Sequence, residues 1–174
     1  MTEVIDFPVC RDSGPAAHRP VPAVGAPILV AVDLGEESRA ALLWASELAE
    51  NSGAPLRILH VLHDPAESPG KYARHKTDPL EPMADTAQRM LSEFMDRTRE
   101  AHPDLESLAA ASTKLAKGLP AQTIVNEAKA VGAGLIAIGC RGKSSMAKLL
   151  YGSNAERVTR LSPIPVTVVK APAS

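Results

Sequence analysis

The sequence predicts a single α/β domain built on a five-stranded parallel sheet with helices on both faces. Short runs of Ile, Leu, Val and Ala alternate along the chain with segments whose apolar residues recur every three to four positions. Glycine, proline and aspartate separate these segments. Aromatic residues make up only 3% of the 174 residues, so the core must be aliphatic.

A βαβ unit is predicted first. Ile28 to Val32 is a continuous apolar run, which is typical of a strand buried on both faces. A helical pattern begins near Ser38 and ends at the stop signal of Gly53. Leu56 to Leu62 is the second apolar run. Strand, helix and strand in this order indicate a right-handed crossover.

The middle of the chain is less regular. Asp64 to Pro82 is polar and contains four prolines, which predicts a long surface loop. Met83 to Ala101 has the apolar spacing of a helix. We expect the third strand at Leu108 to Leu115, although the alanines of this segment suit a helix nearly as well.

The alternation resumes in the last third of the chain. A helix is predicted to begin at Pro120, because proline suits the first helical turn, and to stop at Gly132 and Gly134. The remaining predicted elements are a strand at Leu135–Ile138 that ends in Gly139, a helix at Ser153–Leu161 and a strand at Val166–Val169.

The domain boundaries follow from this pattern. Residues 1–26 contain four prolines and no periodic apolar residues, so they are predicted to form an extended arm. The arm is either a disordered leader or a segment that packs on a partner subunit. Residues 27–171 are predicted to form the globular domain, and residues 172–174 a short tail.

The charge balance argues against nucleic acid and anionic membranes as partners, since 19 basic and 20 acidic residues give a net charge of -1. There is no apolar run long enough to span a membrane and no pattern of a signal peptide. The two cysteines, Cys10 and Cys140, are far apart, which argues against a disulfide framework. We therefore expect a cytoplasmic protein.

Ligands of such sheets bind beyond the carboxyl ends of the strands. The first strand ends at Asp33, which offers a carboxylate without a glycine-rich turn. After the fourth strand, Gly139 and Gly142 leave backbone N–H groups open to an anion, and Gly152-Ser153 leads into a helix N-terminus. Cationic side chains lie in the same stretch, at Arg141, Lys143 and Lys148. A Walker A loop is excluded, because it needs glycine where the chain has Ala137.

The spacing G-x2-G-x9-G-[ST], filled by Gly139, Gly142, Gly152 and Ser153, resembles the signature of the ATP-binding branch of the universal stress protein family. Further likeness lies in V-A-V-D, whose last three residues are Ala31–Asp33, L-H-V at Leu59–Val61 and G-S-N-A-E-R-V at Gly152–Val158. The resemblance covers residues 27 to about 171. It implies a Rossmann-like sheet of order 3-2-1-4-5, similar to that of the adenine nucleotide alpha hydrolases.

The same resemblance implies a division of the site into an adenosine end and a phosphate end. Asp33 and Ala31 are expected at the adenosine, and the backbone of Val61 at the adenine edge. The ribose and first phosphates are expected at Ile138, Gly139, Arg141 and Gly142, and the outer phosphates at Gly152, Ser153 and Asn154. Mg²⁺ or Mn²⁺ would be carried in by the nucleotide, whose phosphates supply most of the metal's ligands.

Several candidates have a simpler structural interpretation as well, and Val61, without the resemblance, is an ordinary core residue of a strand. Gly139 and Gly142 also suit a tight turn after a buried strand. Asp33 can cap the first helix or lie solvated at the strand end. Ser153 and Glu156 have the spacing of a capping box.

Two other reactive residue types lie near strand ends. Cys140 is either a redox thiol activated by nearby positive charge or a small packed residue. A metal site at His60 and His63 is disfavoured, because residues three apart point to opposite faces of a strand.

Binding is favoured over catalysis, since the chain has no nucleophile elbow, zinc motif or paired carboxylates and no obvious base near the glycine loop. The predicted function is an ATP-binding regulatory module of the stress response. The alternatives are a stress protein that acts through protein contacts without nucleotide, and a slow ATP hydrolase.

The resemblance implies that strand Val166–Val169 lies at a sheet edge, where an exposed apolar strand can pair with a strand of another chain. We therefore expect a homodimer through this strand, with an unidentified regulatory protein as a further partner.

Overall fold

A computed structural model describes residues 25–63, 81–140 and 153–171, and at residues 81, 82 and 153 it describes the backbone alone. Its sheet has the order β3-β2-β1-β4-β5, and all four strand pairs are parallel. The strands are β1 Ile28–Val32, β2 Leu56–Leu62, β3 Ser112–Lys117, β4 Leu135–Cys140 and β5 Val166–Lys170. The helices are α1 Glu36–Ser52, α2 Glu81–Ala101, α3 Glu106–Ala109, α4 Pro120–Ala130 and α5 Ser153–Leu161. The predicted fold class and strand order are confirmed.

Apolar residues on both faces of the sheet explain the continuous apolar runs of the central strands. One face packs against α1, α2 and α3, around Val30, Ile58 and Leu91. The other face packs against α4 and α5, around Leu29 and Ile136. Since successive residues of a strand point to opposite faces, a strand buried on both sides must be apolar at every position.

Alanine side chains form much of the contact between α1 and the sheet. Ala41, Ala45 and Ala49 lie one turn apart and are at most 3% exposed. Small side chains allow the helix axis to come close to the strands. The helix ends at Gly53, whose φ of 66° is left-handed and whose N–H donates to the carbonyl of Ala49 at 2.8 Å.

The predicted third strand at Leu108–Leu115 is wrong in its placement. The segment begins instead with the short helix α3, and the strand follows at Ser112–Lys117. The strand was hard to recognise because it is a sheet edge: its first three residues are exposed and none of its residues is fully buried. An edge strand of this kind has no continuous apolar run, whereas Leu108 is fully buried in the helix.

Hydrogen bonds from neighbouring helices fix α3 in place. Ser107 donates its N–H to Glu50 Oε1 at 2.5 Å and its hydroxyl to the carbonyl of Ser46 at 3.0 Å. At the other end of the helix and just beyond it, Arg99 donates to the carbonyls of Leu108 and Ala111, both at 3.2 Å. The bond to Glu50 satisfies the N–H of Ser107, which lies in the first turn of α3 and has no partner within the helix.

Three predicted segments lie wholly or largely outside the described residues. They are the arm up to residue 24, the loop over residues 64–80 and the glycine-containing stretch over residues 141–152.

Candidate functional site

The carboxyl ends of β1, β2 and β4 lie side by side, because β1 is the central strand of the sheet. Ala31 in β1 is paired with Leu59 on one side and with Ile138 on the other. Ala31, Val61 and Ile138 belong to one apolar cluster on the face covered by α4 and α5. Ala31 and Ile138 are buried, whereas Val61 is half-buried. The structure therefore brings three of the apolar candidate residues together on one face, at the edge where a ligand is expected.

Asp33 lies immediately after β1 and shapes the turn into α1. Its Oδ1 accepts the N–H of Gly35 at 3.1 Å, two residues further along the chain. Leu34 between them has a φ of 66°, which is uncommon for a residue with a side chain. Gly35 is the residue that caps α1, so Asp33 bonds the cap residue rather than capping the helix itself. Its carboxylate remains exposed at the strand end.

Gly139 is required by the packing of α1 on β4. A Cβ on this residue would lie 2.8 Å from the backbone nitrogen of Ser38 and closer still to the carbonyl of Glu37. Side chains do not tolerate contacts of this kind with backbone atoms. The close approach therefore accounts for this glycine within the fold, in place of the tight turn that the sequence also allowed. The same contact holds the first turn of α1 against the end of β4.

Two helix N-termini lie at this edge of the sheet, and they differ in charge. The first turn of α1 carries two carboxylates, Glu36 and Glu37. They oppose the attraction that the N–H groups of a helix start exert on a phosphate. The first turn of α5 carries one carboxylate, Glu156, and an exposed Asn154. Its start suits a phosphate better than the start of α1.

The packing of α5 fixes the position of its first turn. Ala155 and Val158 are buried against the sheet, which anchors the helix directly behind its start. Ser153 is the first residue of α5, and its predicted role in a capping box lies outside the described side chains. Other predicted phosphate contacts lie outside the described residues altogether, namely Arg141, Gly142 and Gly152. The structure thus describes the two ends of the predicted glycine cradle, at Gly139 and at the start of α5.

His60 has a role at this edge that sequence reasoning missed. The residue is buried, with 4% of its surface exposed, and Nδ1 lies 2.7 Å from the carbonyl oxygen of Val32. Val32 is the last residue of β1 and the direct neighbour of Asp33. A histidine at an inward position of an apolar strand was the available signal, because a buried polar ring requires a hydrogen-bond partner.

The described residues include the candidates that the sequence offered for metal and thiol chemistry, His60, His63 and Cys140. Residues 25–63, 81–140 and 153–171 contain no group of three or more His, Cys, Asp or Glu side chains that could hold a metal ion. His63 Nδ1 lies 3.5 Å from the carbonyl oxygen of Gly118, away from the His60 ring contact. Cys140 is only 1% exposed, which fits a small packed residue better than a redox thiol.

A separate cleft of about 420 Å³ lies near the amino ends of β2 and β3. Leu29 and Leu59 contribute to its apolar lining, and Arg57, Lys114 and Glu127 to its polar lining. Lys114 Nζ lies 2.7 Å from Glu127 Oε2, and Arg57 donates to Ser112 Oγ at 2.6 Å. The charged groups of the cleft are therefore engaged with one another or with a neighbouring hydroxyl. Since Arg57 and Ser112 lie at the starts of their strands, the cleft does not belong to the candidate site.

None of the helices in the described part of the chain is both long and apolar enough to cross a membrane.

Residues 26–170 match the model of the universal stress protein family. The chain is 31% identical over 152 residues to the universal stress protein YxiE of Bacillus subtilis, which covers 82% of this chain and 97% of the relative.

Two solved structures from Archaeoglobus fulgidus are also similar. One universal stress protein is 30% identical, with a TM-score of 0.62, over 83% of this chain and 98% of its own. Another, in complex with dAMP, is 27% identical, with a TM-score of 0.59, over 84% of this chain and 99% of its own. With the family match over the whole sheet and its helices, these likenesses show that the chain belongs to the universal stress protein family.

Proposed function

We propose that this protein binds an adenine nucleotide, ATP in the first place, at the carboxyl ends of β1, β2 and β4. The observation that carries the proposal is the convergence of these ends. The buried Ala31 and Ile138 and the half-buried Val61 share one face, and the exposed carboxylate of Asp33 follows directly after β1. An apolar floor with a few polar groups at its margin is the usual construction of a small-molecule site.

The two ends of the site would bind different parts of the nucleotide. Aliphatic side chains suit the flat, apolar faces of adenine, and the Asp33 carboxylate is an acceptor for ribose hydroxyls. The start of α5 provides N–H groups for phosphate oxygens at Ser153 and Asn154. The resemblance to the family signature implies further contacts, with Gly139, Arg141 and Gly142 at the ribose and first phosphates and Gly152 at the outer phosphates. Mg²⁺ or Mn²⁺ would arrive with the phosphates, since no cluster of protein ligands is needed for it.

The related protein from Archaeoglobus fulgidus that is in complex with dAMP supports the adenine end of this proposal. Adenine and one phosphate are the chemical features that dAMP shares with ATP. The preference for a triphosphate depends on the stretch from Gly139 to Ser153 and is proposed from its glycine spacing and its cations.

We further propose how binding is used. Residues 27–171 form a cytoplasmic module in which nucleotide occupancy selects between partner states, without rapid turnover of the nucleotide. Two copies associate through β5, an edge strand whose first four residues are half-buried. An unidentified regulatory protein reads the nucleotide state.

Mass spectrometry of nucleotide released from the freshly purified chain tests the proposal first. Calorimetric titration with ATP, dAMP and GTP, each with and without Mg²⁺, then gives affinities and base preference. We expect micromolar binding of ATP and loss of the phosphate contribution in Gly142→Val. No released nucleotide and no heat with ATP would favour a protein that acts through protein contacts. Phosphate release that scales with protein concentration and disappears in Asp33→Ala would favour a slow hydrolase.

A further inference from the structure

The hydrogen bond between His60 and Val32 crosses from β2 to β1 at the edge where the nucleotide site is proposed. The two residues are direct partners in the parallel register of the strands. The carbonyl of Val32 can only accept, so Nδ1 of His60 carries the proton in this contact. At 2.7 Å and with His60 only 4% exposed, the bond is short and shielded from water.

The imidazole lies on the opposite face of the sheet from the proposed adenine floor. His60 alternates with Val61 along β2, and Val61 packs on the α4 and α5 side. Val32 packs on the α1 and α2 side. His60 therefore acts on the site through the backbone rather than by contact with a ligand.

The bond lies at the start of a short chain of contacts around Asp33. His60 holds the carbonyl of Val32, the peptide that leads directly into Asp33. Asp33 in turn accepts the N–H of Gly35, which caps α1. The first turn of α1 is pressed against Gly139 at the end of β4. The ends of β2, β1 and β4 are thus tied together through one turn.

We propose that His60 is a positioning residue of the nucleotide site, which fixes the exit of β1 and thereby the Asp33 carboxylate relative to the backbone of Val61. The inference rests on the proposed adenine nucleotide site. Leu34 has an uncommon backbone conformation. Such a conformation persists only where surrounding contacts hold the backbone in place. The buried donor of His60 is one such contact, because removing it leaves the Val32 carbonyl without this partner.

Three variants separate positioning from simple packing. His60→Leu keeps apolar volume but removes the donor, and His60→Asn retains an N–H donor near the place of Nδ1. His102→Asn is the matched control, a half-buried histidine between α2 and α3, away from the carboxyl ends of the strands. The affinity for adenosine reports on the proposed adenosine end alone, and thermal unfolding reports on the fold.

We expect His60→Leu to bind adenosine about 10-fold more weakly, the effect of one lost buried hydrogen bond. His60→Asn should recover most of the affinity, and His102→Asn should match the unchanged protein. The proposal is overturned if His60→Leu binds adenosine as the unchanged protein does. It is equally overturned if His60→Asn melts like the unchanged protein but loses as much affinity as His60→Leu.

An NMR measurement keeps this inference distinct from the proposed function. If the unchanged protein binds neither adenosine nor ATP, the proposed function fails. The amide chemical shifts of Asp33 and Gly35 then test the positioning role of His60. A displacement of both signals in His60→Leu but not in His60→Asn supports the positioning role. Unmoved signals in both variants contradict it.

Discussion

The backbone of Glu37, at the start of α1, occupies the space in which a side chain on Gly139 would lie. The contact joins a helix N-terminus to the end of a central strand, and both flank Asp33. The contact requires a residue without a side chain at position 139, whether or not a ligand is bound. Backbone conformation is not the reason, because the φ of Gly139 is not left-handed. The glycine thus serves the fold, and the proposed site is built around the contact that it permits.

Gly139→Ala should destabilise the protein by about 2 kcal/mol or more, because the new methyl group must push α1 away from β4. Urea unfolding followed by circular dichroism measures the difference. The matched control is Gly53→Ala, where φ is 66° but no atom lies within 4 Å. That variant should cost about 1 kcal/mol, the cost of a left-handed conformation alone. If Gly139→Ala is no more destabilising than Gly53→Ala, the packing argument is wrong.

The fold could be predicted from the sequence wherever strands are buried on both faces. Such strands leave continuous apolar runs, as β1 and β4 do, and the run lengths and helix stops gave nearly correct bounds. The edge strand β3 could not be placed, because its first three residues are exposed and none of its residues is fully buried, so it has no continuous apolar run.

The site could be predicted only in part. Asp33 is a candidate because of its place after a strand, which is a local property, and its role in binding stays a prediction. The role of Gly139 depends on Glu37, and that of His60 on Val32. Each of these pairs joins residues far apart along the chain, so the reason for each residue type lies in tertiary packing. A single sequence shows the glycine and the histidine but not the atoms that they meet.

Asp33→Asn should separate the charge of this side chain from its role in the turn. The amide oxygen can still accept the N–H of Gly35, so the free energy of unfolding should change by less than about 1 kcal/mol. ATP affinity should fall about 10-fold or more, because a hydrogen bond to a charged group contributes more than one to a neutral group. Calorimetric titration and thermal unfolding measure the two effects. Unchanged affinity in this variant would place the nucleotide away from β1.

Substitutions at the amino ends of the strands should leave nucleotide binding intact. Arg57→Met and Lys114→Met remove charges from the cleft beside β3, at the opposite end of the sheet from Asp33. Each should lower the free energy of unfolding by less than about 1 kcal/mol, because both residues lie at the surface. Lys114 is 59% exposed in an ion pair of the kind that contributes little, and Arg57 is also exposed. ATP affinity should stay within about twofold of the unchanged protein, well below one tenfold step. A tenfold loss in either variant would show that the nucleotide site has been assigned to the wrong end of the sheet.

Val168→Pro should convert the proposed dimer to a monomer. The carbonyl of Pro165 accepts the N–H of Ile136, so odd-numbered residues of β5 turn their backbone groups toward β4. Val168 therefore turns its N–H toward the open edge, and proline there removes a donor for a second copy without breaking the ladder to β4. Light scattering should give a dimer mass for the unchanged protein and half that mass for the variant. Circular dichroism checks that the helices persist. A monomer mass for the unchanged protein at micromolar concentration would contradict association through β5, and a dimeric variant would place the interface elsewhere.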